Sequence, residues 1–88
     1  MLNRIENYKG ELIMYTILEI QKFSDGTAAY PPVVQKSTLN EGKSEFYRVA
    51  SLAAISSVPK HIVILISDDG DVIAKDITIH SSEQNEGE

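Results

Sequence analysis

His61 and His80 are the only two histidines of the chain, and they flank its most aliphatic region. If His61–Ser67 and Val72–His80 pair through a turn at Asp69-Gly70, His61 stands opposite Thr78. His80 is then a diagonal neighbour on the same face, with Asp76 two residues further in. Two imidazoles and a carboxylate would begin a metal site, but a catalytic zinc takes three protein ligands in a tetrahedral array. Histidines at strand ends on the surface are the simpler expectation, with no metal and no cofactor. Asp68-Asp69-Gly70-Asp71 gathers carboxylates as a calcium loop does. It lacks the EF-hand spacing and the closing bidentate glutamate, so it reads as an acidic turn. Ser44, Ser51, Ser56, Ser57 and Ser67 lie in no G-x-S-x-G elbow and no S-x-x-K context. Neither a phosphate-cradling G-x-x-x-x-G-K-[ST] nor a G-x-G-x-x-G occurs. Glu19 and Glu45 are single carboxylates without a partner at a defined spacing. No residue is assigned a catalytic role, and the chain is not expected to be an enzyme. Tyr15, Tyr30, Phe46 and Tyr47 could stack nucleic-acid bases. Without a basic groove, core packing or a protein interface is their expected use.

Composition narrows the classes further. The 88 residues make one small domain, and a chain of this size buries only about 60% of its unfolded surface. Cysteine is absent, which excludes disulfides and thiolate chemistry and fits a reducing cytoplasm. No apolar run approaches the roughly 20 residues needed to span a bilayer, and no signal-peptide pattern opens the chain. The formal charge of −5 is spread unevenly, and Ser81–Glu88 holds Glu83, Glu86 and Glu88 with no basic residue. A weakly acidic body without a basic cluster argues against nucleic acid and anionic membranes as partners, and leaves a basic protein surface open.

The elements that would position these residues follow in chain order. Residues 1–13 have no clear period. Lys9-Gly10-Glu11 can be encoded with a bacterial ribosome-binding consensus, Leu12-Ile13 giving the spacer before Met14. The segment is expected to be translated leader before a start at Met14, or a flexible N-terminal arm. Residues 14–80 form the domain. Tyr15–Phe23 is rich in β-formers and is followed by Asp25-Gly26, the sequence of a two-residue type I′ hairpin turn. The return strand, about Thr27–Gln35, contains Pro31-Pro32 and so belongs at an edge or a bulge. A helix begins near Leu39–Glu41, with Thr38 and Glu41 spaced as a capping box. Phe46, Val49, Ala50, Ala53 and Ser57 form its apolar stripe, Leu52 and Ile55 lie off it, and Pro59 limits it to about Ser57. The second hairpin follows at Asp69-Gly70, and residues 81–88 are an acidic tail expected to be disordered. The order β-β-α-β-β predicts an α+β fold: a four-stranded antiparallel sheet ordered 2-1-3-4 with one helix on a face.

Register predicts the faces. A two-residue turn at Asp69-Gly70 pairs Asp68 with Asp71, Ile66 with Ile73, Ile64 with Lys75 and Ile62 with Ile77. The face holding Ile62, Ile64, Ile66, Ile73, Ile77 and Ile79 is expected beneath the helix. Val63, Leu65, Val72 and Ala74 fall on the other face, which is too apolar for water. One helix cannot cover both, so a homodimer is expected, with Val49, Leu52, Ile55, Val63 and Leu65 as candidate interface residues.

The wording YTILEIQ, DGTAA and FYRVASLAAISSVPKHIVILISDDGDVI, within Met14–His80, resembles short uncharacterised proteins of prophages and other mobile elements of Gram-positive bacteria. The resemblance implies a cytoplasmic setting and carries over no catalytic residue. The functional expectation is an accessory or assembly protein acting by contact with an unknown protein partner. The alternative is an acidic inhibitor or regulator of a nucleic-acid-binding enzyme.

Overall fold

The computed structural model describes residues 13–80; the leader or arm expected before Met14 and the acidic tail lie, but for Ile13, outside them. The elements are β1 (Tyr15–Lys22), β2 (Ala28–Ala29), β3 (Val34–Lys36), α1 (Leu39–Ala54), β4 (Lys60–Ile66) and β5 (Val72–Ile79). This is the expected α+β fold, one helix on an antiparallel sheet. β1 and β4 lie in the interior of that sheet, β5 forms one edge, and β2 and β3 both pair with β1 at the other. The expected return strand is thus split in two. Pro31-Pro32 interrupts it, as a residue without an amide hydrogen must at a ladder.

Both hairpins close differently from expectation. Gly26 N–H donates to Phe23 O at 3.0 Å and Phe23 N–H to Thr27 O at 2.9 Å. Gly70 N–H likewise donates to Ser67 O at 2.9 Å and Ser67 N–H to Asp71 O at 2.8 Å. Each is therefore a three-residue loop whose tight turn begins one residue earlier than a two-residue turn at Asp-Gly would. The glycine follows the turn in the left-handed region, at φ 92° and 91°. In the second hairpin the added loop residue is cancelled at once. Ile66 pairs with Val72 and Leu65 with Ala74, so the strand bulges at Ile73 and recovers the expected pairs Ile64–Lys75 and Ile62–Ile77.

Thr38 caps the helix, its Oγ1 accepting from Glu41 N–H at 3.1 Å. The reciprocal half of the capping box is replaced by a contact from Ser37 Oγ to the Glu41 carboxylate at 3.4 Å. Gly42, Phe46 and Ala53 are buried on the inner stripe, and Val49 packs beside them. Gly42 is fitted to a close approach: a Cβ there would stand 3.0 Å from Tyr15 Cβ and 3.2 Å from Leu65 Cδ1. The helix ends at Ala54, earlier than Pro59 alone required.

The helix covers the face opposite to the one expected. The core is Ile17, Phe46, Val63 and Leu65, with Tyr15, Val34, Val49 and Ala74 packed against it. The isoleucines at positions 62, 64, 66, 77 and 79 lie on the other side. Connectivity explains the reversal. β3 and β4 are both antiparallel to β1, hence parallel to each other, and α1 joins them. Such crossovers are right-handed in about 98% of cases. Handedness and register select the covered face, and the number of isoleucines does not.

Candidate functional site

The polar residues of the covered face gather under the C-terminal half of α1. β1 presents Glu19 and Gln21, and β4 presents His61, whose strand partner is Gln21. From β5 come Asp76 and Thr78, partners of Val63 and His61, with His80 beyond the strand end. His61 is not the surface residue expected of a strand end; it is 3% exposed. Its Nδ1 lies 2.6 Å from Glu19 Oε2, so Nδ1–H donates to the carboxylate. Gln21 Nε2 reaches the same oxygen at 3.4 Å. His61 Nε2 is buried with no hydrogen-bond partner.

His80 is the diagonal neighbour that register predicts. Its ring centroid is 6.4 Å from that of His61, and the planes stand at 83°. Its Nε2–H donates to Ala53 O at 2.7 Å, and its backbone N–H donates to Pro59 O at 2.6 Å. α1 has no basic residue in its last turn. His80 supplies from another strand the donor that a helix C-terminus otherwise takes from Lys, Arg or His nearby.

Sequence reading missed the Glu19–His61 pair, which is 42 positions apart. Only the β1–β4 register brings it together. A carboxylate on Nδ1 is how a general-base imidazole is oriented. Here the atom that would take the proton, Nε2, is enclosed under the helix. Among the described residues no group of three or more His, Asp or Glu side chains could hold a metal. The arrangement joins the end of α1 to β1, β4 and the end of β5.

Other charged groups act locally. Asp25 accepts from Thr27 Oγ1 at 2.6 Å and Thr27 N–H at 2.9 Å. The hydroxyl first and the amide second hold its carboxyl below the usual range. Arg48 binds Glu45 through Nε and a terminal nitrogen, lowering the Glu45 pKa and raising its own. A groove by β3 and the first turns of α1 is lined by Met14, Gln35, Lys36, Ser37, Glu41, Ser44 and Glu45.

The uncovered face is the larger feature. Leu18 and Ile20 of β1 pair with Ile64 and Ile62 of β4, and Ile62 pairs with Ile77 of β5. Ile66 and Ile79 extend the patch to both ends. Leu18, Ile20, Ile62, Ile64 and Ile66 are half-buried among themselves, and Ile73, Ile77 and Ile79 are exposed. Monomeric proteins seldom leave so continuous an apolar patch open to water. The sequence-based interface therefore needs correction. Val63 and Leu65 are completely buried beneath α1 and cannot face a partner. Val49 is half-buried against the core. Leu52 stands exposed on α1, and Ile55, just past its end, is 81% exposed.

No helix among the described residues is long and apolar enough to cross a membrane. Comparison of the chain with protein-family models, curated proteins and solved structures finds no match.

Proposed function

We propose that this chain is a non-catalytic accessory or assembly protein of the prophage or mobile-element kind, working in the cytoplasm by contact with another protein. The observation that carries the reading is apolar surface on both sides of the domain: the isoleucine face of the sheet, and Leu52 with Ile55 at the end of α1. A homodimer fits the same observation, because one helix covers one face only. Self-association through one side leaves the other for a different protein, as an assembly factor requires. The resemblance of Met14–His80 to mobile-element proteins supplies the setting.

The test is a double substitution, Leu52→Glu with Ile55→Glu, in a chain expressed in its own host. Both positions are exposed, so the fold should be unchanged by circular dichroism. A partner retained by the wild-type chain should be lost by the variant. An unchanged set of retained proteins overturns the reading. An acidic inhibitor of a nucleic-acid-binding enzyme is the second reading, favoured by the exposure of Asp68, Asp69 and Asp71 on one turn. It requires binding to a basic protein that weakens steeply as salt is raised.

A further inference from the structure

We propose that the isoleucine face is covered by a second copy of this chain, stacked sheet on sheet with strand directions opposed across the interface. This rests on the reading of the chain as a self-associating contact protein, and adds the face and the geometry.

The first argument is area. Strands about 4.8 Å apart and rising about 3.3 Å per residue make the face roughly 19 Å by 25 Å, so two copies together remove on the order of 1,000 Å² from water. That reaches the low end of specific interfaces, about 1,000–1,200 Å², the class of weak, reversible contacts. Aliphatic faces of this kind interdigitate in β-sandwiches, with strands of the two layers within about 30° of each other.

The second argument is charge. At one end of the face stand Lys22 and Lys60, which pair with each other in register. At the other end is the turn with Asp68, Asp69 and Asp71, all exposed. A two-fold axis between the sheets can lie along the strands or across them. Along the strands, it sets lysines on lysines and aspartates on aspartates. Across them, it keeps each strand over its own copy but reverses direction. Lys60 of one copy then approaches the aspartate turn of the other, twice over by symmetry. Like charges face to face weaken an interface and fix its register against the wrong arrangement, so the opposed stack is selected. Lys75 also lies on this face, opposite Ile64 near the middle of edge strand β5, so the opposed stack brings it over its own copy and that one like-charge contact falls at the rim. Its four-carbon stem can lead the ammonium out to water at the rim.

Sedimentation equilibrium of the full chain across micromolar concentrations, with circular dichroism as the check on folding, tests the proposal. The wild type should be a dimer and Ile77→Glu a folded monomer. Lys60→Glu should weaken association about tenfold by turning two attractions into repulsions, and adding Asp69→Lys should restore it. Leu52→Glu should leave the dimer intact. A dimer that survives Ile77→Glu, or is broken by Leu52→Glu, overturns the sheet stack while the homodimer stands. A dimer indifferent to the Lys60→Glu swap overturns the opposed direction. A wild-type monomer overturns both stack and homodimer. Contact with a different protein is decided separately by the Leu52/Ile55 variant. Should Ile77→Glu fail to fold, the charge swap and its reversal still decide.

Discussion

The two faces of this sheet are built in the reverse of what their compositions suggest. The covered face has Ile17 and Leu65 at one end, Val63 between Glu19 and Asp76 in the middle, and Gln21, His61 and Thr78 at the other end. The open face is isoleucine and leucine through its middle, with Lys75 at its β5 edge and Lys22 and Lys60 at one end. Hydrophobic count is therefore a poor guide to which face a single helix takes. The helix is committed by its connection between β3 and β4 and must accept the polar residues beneath it. It accepts them by pairing: Glu19 with His61, Thr78 Oγ1 donating to Asp76 at 3.1 Å, and His80 with the helix end. Buried polar groups are tolerated when they find partners, and among these only His61 Nε2 is buried without one. The aliphatic surplus is left on the face that the helix does not cover.

The largest expected effect separates the faces at neighbouring positions. Leu65 is completely buried, and Ile64 beside it points to the open side. Leu65→Asp should abolish folding, since burial of an unpaired carboxylate exceeds the margin of so small a domain. Leu65→Ala should lose about 2–5 kcal/mol. Ile64→Asp should leave a folded chain and remove only self-association. Urea unfolding followed by circular dichroism reads all three. Equal losses at positions 64 and 65 would erase the distinction between the faces.

The polar half of the covered face comes next. Glu19→Ala leaves His61 Nδ1–H without its acceptor on a buried ring whose Nε2 already lacks a donor. A loss of about 1–3 kcal/mol is expected. Replacing both, as Glu19→Leu with His61→Leu, should recover most of it, because removing both partners of a buried pair is nearly neutral. A double-mutant cycle by chemical denaturation gives the coupling. Additive losses would mean that the pair does not act as a unit.

These two predictions mark how far the sequence was legible. Element order, the Thr38 cap, the inner stripe of α1 and the edge position of the Pro31-Pro32 strand were readable, because each depends on residues near in sequence. The β4–β5 register was readable from Leu65 outward, because a short turn joins those strands, although the turn itself is one residue longer. Asp-Gly serves both loop lengths, and only the bulge at Ile73 hides the difference. The β1–β4 register was not readable. Those strands are joined through a helix, and no local residue sets their offset. Glu19–His61, the burial of His61 and the identity of the covered face all depend on that one register.

Gly42 tests how tightly the covered side is closed. Alanine there gains up to about 1 kcal/mol in helix propensity. Its Cβ would meet Tyr15 Cβ at 3.0 Å, close to the backbone of a central strand. Overpacking of this kind costs about 1–3 kcal/mol, so Gly42→Ala should be net destabilising by about 1 kcal/mol in thermal or urea unfolding. A stabilised variant would show that α1 can ride outward from the sheet. The helix would then be held less by Leu65 and Tyr15 than by its polar end.

The smallest effect on the folded chain itself is expected at the far end of the open face. Ile79 is half exposed and pairs with Lys60. Ile79→Ser removes apolar area that the lone chain leaves in water, so the stability of the dilute monomer should change by about 0.5 kcal/mol or less. At concentrations where two copies associate, the same substitution removes area that the stack buries, and its apparent cost should grow. Melting temperature against concentration therefore separates the two faces by thermodynamics alone. A residue of the covered face destabilises at every concentration, and a residue of the open face only where a second chain is present to cover it. If Ile79→Ser destabilises equally at high and low concentration, its side chain belongs to the core of the single chain.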